Sequence, residues 1–156
     1  MKGDQEVIDL LNEVLTSELT AINQYFIHHK MAEDWGYERI SQKKRSESIE
    51  EMKHAEAVIA RILFLDGVPN MQRMFPVKVG ETVHEMHQVD LELEIEAVAR
   101  LNKAISKTRE KHDNGTRDLL ERILIDEEDG IEWLEAQLHQ IEEIGNERYL
   151  AEQIHG

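Results

Sequence analysis

Both prolines of this 156-residue chain, Pro69 and Pro76, fall in one stretch, DGVPNMQRMFPVKVGE (66–81). Proline breaks a helix from within, so everything outside that stretch is free to be helical. The glycines sharpen the constraint. Gly36, Gly67, Gly80, Gly115 and Gly145 stand where periodic segments begin or end, and only Gly130 lies inside one. Between these breaks, apolar residues recur every three or four positions, as the buried stripe of a helix requires. Val7, Leu11, Leu15, Leu19, Ile22 and Phe26 mark a helix over 4–34; Ile49, Ala55, Ile59, Ile62 and Leu65 mark one over 38–65. Val83, Met86, Leu93, Ala97, Leu101 and Ile105 mark a third over about 82–112. Leu120, Ile123, Leu124, Ile131, Leu134 and Leu138 mark a fourth over 116–144. A short helix, NERYLAEQI (146–154), can follow Gly145. The joints at 34–37 and 113–115 are short enough for antiparallel hairpins, whereas the middle connection can run the length of a bundle. The pattern predicts one all-α domain over 1–156: a four-helix bundle with one long crossover and a short C-terminal helix.

Composition excludes several classes of function. With 18 Lys and Arg against 33 Asp and Glu, the formal charge is −15. Such a chain offers no basic footprint for phosphates, so nucleic acid is not an expected partner. Cysteine is absent, which removes disulfides, thiolate metal sites and Cys nucleophiles. No apolar run approaches a membrane span and the N-terminus lacks an export signal. The expectation is a cytoplasmic domain without a membrane partner.

The chemistry shows where the apolar stripes are interrupted. Glu18 shares a face with Leu11, Leu15, Ile22 and Tyr25; Glu51 and His54 share one with Val58 and Leu65. Glu94 is bracketed by Ala97 and Leu101, and Glu127 by Leu120, Leu124, Ile131 and Leu134. Each helix therefore aims a carboxylate at the core. Any single Glu in so acidic a chain is more often a solvated surface acid, and a lone Glu-x-x-His is common by chance. One acid per helix, each flanked by apolar residues, is harder to obtain accidentally. Buried carboxylates repel one another and cost several kcal/mol each unless a cation lies between them. Oxygen donors with one imidazole suit iron or manganese, and zinc as well. Glu51 and His54, three residues apart, lie on one face and can serve one ion together.

The residues that carry this pattern resemble a known family. MKGDQEVIDLLNEVLTSELTAINQYFIHHKMAEDWG (1–36), ESIEEMKHAEAVIARILFLDGVPN (47–70) and IDEEDGIEWLEAQLHQIEEIG (125–145), followed by Tyr149 and Leu150, are similar to bacterioferritin from end to end. The resemblance implies a ferritin-like fold and a hollow shell of 24 subunits that oxidises ferrous iron and stores a ferric mineral. It also implies haem b held between two-fold-related subunits, with a ferredoxin-type protein as the expected reductant. By position, Glu18, Glu51, His54, Glu94 and Glu127 become ligands of a dinuclear ferroxidase centre. Glu51 and Glu127 would bridge the ions, with Glu18 and His54 on one iron and Glu94 on the other. Tyr25 matches a tyrosine that can supply a further electron; its alternative role is a core aromatic that hydrogen-bonds a ligand carboxylate. Met52 matches the axial haem ligand, although one Met on an apolar face is by itself usually packing.

One ligand is missing. The second Glu-x-x-His of the family reads Glu127-Glu128-Asp129-Gly130 here. Gly130 has no donor atom and weakens the helix by about 1 kcal/mol relative to Ala. Asp129, one residue back, points about 100° away. The Glu94/Glu127 subsite is therefore expected to be weak and the centre half-occupied. Some bacteria pair a haem-carrying subunit with a ferroxidase-competent one in a mixed shell, and Met52 with Gly130 matches the haem-carrying kind. The alternatives are a fully active ferroxidase, with a water or shifted carboxylate beside Gly130, and a non-catalytic helical interaction module. Other departures are Ser46 and Glu50, where some relatives carry an inner-surface His and Asp. Asp34, Asp66, Glu132 and His139 match an entry channel between subunits. The remaining histidines (His28, His29, His84, His87, His112 and His155) are expected at the surface or in subunit contacts.

Overall fold

The computed structural model covers residues 1–156 and is all-helical: α1 Gln5–Asp34, α2 Glu38–Phe64, α3 Val83–Glu110, α4 Asn114–Ile144 and α5 Asn146–Ala151. The helix starts are set by short polar side chains. Asp4 accepts the Glu6 and Val7 amides, and Thr82 accepts that of Glu85. Asp113 takes both the Thr116 amide and its hydroxyl. That cap places Gly115 inside the first turn of α4, so the helix starts at Asn114, two residues earlier than the apolar periodicity predicts. Each such cap is worth about 1 kcal/mol to its helix. At the far end Gly145, with φ of +84°, turns the chain into α5 in a backbone conformation that side chains rarely tolerate.

α1 pairs with α2, and α3 with α4, as antiparallel hairpins; residues 65–82 cross between the pairs. Part of the crossover is held by one polar edge of α1. Asn12, Thr20, Gln24 and His28 accept the backbone N–H groups of Asn70, Phe75, Lys78 and Gly80 respectively, at 2.8–3.0 Å. These four positions are spaced by eight, four and four residues, so they form one row along the helix. A segment without secondary structure thus has part of its backbone satisfied by a neighbouring helix.

The bundle interior is layered along its axis. One end is an apolar core of 14 buried residues, among them Leu11, Leu15, Val58, Ile62, Leu101 and Leu120. The other end is a smaller cluster of Ala32, Ile40, Val83, Ile141 and Tyr149, the last contributed by α5. Two polar layers lie between, separated by Ala21, Tyr25 and Leu93. One contains the four glutamates and His54. The other centres on Lys44 and Asp90, both with 0% exposure.

This second layer overturns part of the reading of the histidines. His28, His29 and His87 are buried within the chain, whereas His84 is half-buried and His112 and His155 are exposed. Helical periodicity assigns polar residues to solvent, but the crossover covers His28, Ser41 of α2 contacts His29 at 3.0 Å, and α5 closes over His87. Lys44 Nζ donates to Asp90 Oδ2 at 2.7 Å and to His87 Nδ1 at 3.0 Å. His87 Nε2–H then donates to the Tyr149 hydroxyl, which donates to Gln137. Asp90 also accepts from Gln24 and from His28 Nδ1, since His28 Nε2 is occupied by the Gly80 amide. Every member has a partner.

Candidate metal centre

The first polar layer draws one carboxylate from each long helix. Ser48 donates to the Ile22 carbonyl at 2.8 Å, setting the register that brings Glu51 and His54, about one helical turn or two further along α2, opposite Glu18. Glu18, Glu51, Glu94 and Glu127 are 1–3% exposed and His54 is 7% exposed. His54 Nδ1 stands 3.1 Å from Glu127 Oε1, 3.6 Å from Glu18 Oε2 and 3.7 Å from Glu51 Oε1. The ligand atoms of Glu18, Glu51, His54 and Glu127 all lie within 4.8 Å of one another, close enough to converge on one ion.

Although its carboxyl group meets that of Glu127, Glu94 is not one of those four. Its Oε1 accepts the Tyr25 hydroxyl at 2.8 Å, and its Oε2 faces Gly130. A Cβ built on Gly130 would meet only the Glu94 Cδ and Oε2, both at 3.9 Å. There is room for a side chain there, and this chain supplies none. Asp129 is exposed on the outer face of α4, as its 100° offset predicts, and does not substitute.

Four buried polar atoms of this layer lack any hydrogen-bond partner: Glu18 Oε2, His54 Nδ1, Glu94 Oε2 and Glu127 Oε1. Nδ1 is near three carboxylates but aligned with none. Buried polar groups are almost always paired, and an unpaired one costs about 1–3 kcal/mol. Their electrostatics show the same strain. Burial, then the neighbouring carboxylates, push Glu51 and Glu94 well above the usual glutamate range and raise Glu18. Burial opposes the charged form of His54, but Glu127 and Glu18 outweigh it and hold the imidazole up to about 11. Glu127 is lowered: burial works against this, and contacts with Glu94 and His54 prevail. A single imidazolium is left facing several acids. A divalent cation would satisfy the orphaned atoms and relieve the repulsion, and the donor set of oxygens plus one nitrogen fits iron.

One neighbour escaped the sequence reading. Asp126 of α4 accepts from His54 Nε2 at 2.8 Å. It stands in an acidic run, Asp126-Glu127-Glu128-Asp129, and only the packing of α4 against α2 singles it out.

Met52 lies on the opposite side of α2 from the centre, 47% exposed, and Phe26 on α1 is 54% exposed. Leu19, Ile22 and Ile59 are partly buried and pack against the larger apolar core. Asp34, Asp66, Glu132 and His139 are all exposed. Asp34 ends α1 and Asp66 follows α2, so they sit at opposite ends of one hairpin, and only neighbouring copies could bring them together. Ser46 is exposed and Glu50 half-exposed. No helix is long and apolar enough to cross a membrane.

Comparison with known proteins agrees with this geometry. A ferritin-like domain model matches residues 8–144. The chain is 51% identical over 152 residues to the bacterioferritin of Mycolicibacterium paratuberculosis, covering 97% of this chain and 96% of that protein. It is 51% identical over 151 residues to the bacterioferritin of Streptomyces coelicolor (97% and 90%) and 42% identical over 149 residues to that of Brucella melitensis (96% and 92%).

Proposed function

Because the chain belongs to the bacterioferritin family of ferritin-like proteins, we propose that it is an iron-storage subunit of a hollow 24-subunit shell, weakened as a ferroxidase and equipped to bind haem b. The observation that carries this reading is the set of four unpartnered atoms (Glu18 Oε2, His54 Nδ1, Glu94 Oε2 and Glu127 Oε1) buried in the middle of the bundle.

Ferrous iron is the substrate of this site. Glu18, Glu51 and His54 hold one ion, with Glu51 and Glu127 as the carboxylates able to reach both ions. Beyond the shared Glu51 and Glu127, Glu94 is the only donor for a second ion, so that subsite binds weakly and stays partly empty. Oxidation by dioxygen or peroxide draws two electrons at a time, one from each ferrous ion. A chain that seldom holds both ions is slow. Tyr25, hydrogen-bonded to Glu94, can release its phenolic proton to that carboxylate as it gives up a further electron. In the assembled shell, ferroxidase-competent partner subunits supply the oxidation this chain lacks, and the ferric mineral collects inside.

The exposure of Met52 supports a haem shared between two copies of the chain. A haem there would supply one-electron transfer, and thioether ligation would favour its reduced state. A ferredoxin-type protein is the corresponding reductant. Met52, exposed on α2, would supply a neutral, soft thioether to hold the haem.

The test is a comparison of aerobic ferrous oxidation by the pure homopolymer and its Gly130→His variant, followed by stopped-flow absorbance. The variant is expected to oxidise iron faster, with two ferrous ions bound per chain instead of one. Equal rates would instead favour a fully active centre completed by water in the space beside Gly130. Size-exclusion chromatography with a visible spectrum checks the shell and the haem together; a small oligomer without haem absorbance would leave only a helical interaction module.

A further inference from the structure

We infer that Asp126 is a positioning residue for the metal centre, acting through His54; the inference rests on the reading of that layer as an ion site. A neutral imidazole has one lone pair, and only the nitrogen that lacks a proton can bind an ion. Asp126 Oδ2 lies 2.8 Å from His54 Nε2, and an aspartate oxygen can only accept. Nε2 must therefore carry hydrogen in that contact, which leaves Nδ1 to the ion. Nδ1 is the nitrogen that faces Glu18, Glu51 and Glu127. The hydrogen bond also fixes the ring plane, since the imidazole is tied at its outer edge while its inner edge meets the carboxylates.

The arrangement divides labour between adjacent residues of α4. Glu127, 2% exposed, points into the layer, and Asp126, with its side chain 42% exposed, reaches the same histidine from outside. Glu50 approaches that outer side, its carboxylate within 4.8 Å of the other two groups, but makes no hydrogen bond with the ring. Carboxylates that orient metal-bound histidines in this way commonly change metal affinity by tenfold to a hundredfold when removed.

The experiment is an anaerobic Co²⁺ titration of the assembled protein, followed by visible absorption, on the wild type and on Asp126→Ala, Asp126→Asn and Glu50→Gln. Asp126→Ala is expected to weaken Co²⁺ binding about tenfold to a hundredfold. Asp126→Asn, which keeps an acceptor oxygen, should recover more than half of that loss on a logarithmic scale. Glu50→Gln, which removes one nearby negative charge but no hydrogen bond, should bind within about twofold of wild type. Asp126→Ala binding as tightly as wild type would overturn the inference. So would Asp126→Asn as weak as alanine, or Glu50→Gln falling as far as Asp126→Ala, because either would reduce the effect to net charge. Wild-type protein that takes up no Co²⁺ would overturn the metal-centre reading itself, and this inference with it.

Discussion

Two polar layers share the interior of one bundle, a few residues apart on the same helices, and they are built on opposite terms. Around Lys44 and Asp90 the charges balance and every group has a partner; burial disfavours the Asp90 carboxylate, yet Lys44 and His28 hold it down to about 2. Around His54 acids outnumber bases, four atoms are unpartnered, and Glu51 and Glu94 are driven upward. Both layers are equally buried, so burial does not distinguish them. Completeness does. A satisfied buried network fixes one arrangement of helices, whereas an unsatisfied one is tolerated where something else completes it.

The largest test of that contrast is to remove a single charge from each layer in the metal-stripped protein. Lys44→Met leaves Asp90 buried without its cation, and breaking a buried pair costs about 3–5 kcal/mol. Glu51→Gln removes one of several mutually repelling acids, so stability should hold or rise even as Fe²⁺ uptake falls. Urea-unfolding midpoints of the two assembled variants measure this. Equal losses would mean the two layers do not differ as described.

Adding metal sharpens the comparison from the other side. Co²⁺ at a hundredfold excess over its dissociation constant should stabilise the wild type by about 2.7 kcal/mol per bound site, read as a rise in the thermal midpoint that EDTA reverses. The Lys44 layer contributes nothing to that response. In Glu51→Gln the rise at the same Co²⁺ concentration should shrink or vanish.

Acid separates the layers a third way. Asp90 has a folded value near 2, against 3.8 ordinarily. Its contribution is therefore complete above pH 3.8 and is lost as pH falls towards 2, amounting to about 2 kcal/mol. The raised carboxylates of the metal-free centre have the opposite sign, because burial penalises their charged forms: their destabilising effect fades as they take up protons. The wild-type curve mixes both, so the useful quantity is the difference between wild type and Lys44→Met. That difference should be largest near neutral pH and shrink as pH falls, starting where Asp90, buried without Lys44, takes up its proton in the variant.

The sequence was uneven in what it disclosed, for physical reasons. Helices and acid placement follow from periodicity, which is local, so Glu18, Glu51, His54, Glu94 and Glu127 could be found as interruptions in apolar stripes. The Lys44 layer depends on partners far apart in the chain: Lys44 and Asp90 are 46 residues apart, and His28 meets Gly80 of the crossover. Each of these residues, taken alone, looks like an ordinary solvated side chain. Asp126 was hidden differently, since nothing in an acidic run indicates which member will meet an imidazole. Gly130 was legible because a glycine inside a helix contradicts local propensity.

The smallest expected effect belongs to that glycine, and it separates two consequences of the same position. Replacing an interior helical Gly with Ala stabilises a helix by about 1 kcal/mol, provided the new methyl group fits. It fits here, because the nearest atoms to a Cβ at Gly130 are those of the Glu94 carboxyl group at 3.9 Å. Gly130→Ala should therefore raise the urea midpoint modestly while adding no donor for iron. Gly130→His should gain less helix stability, because His is a weaker helix former than Ala, but it adds a nitrogen beside Glu94. Comparing the two variants isolates the ligand from the helix. An alanine variant that oxidised ferrous iron as fast as the histidine variant would trace the improvement to a stiffer α4, and the missing imidazole would no longer explain a weakened centre.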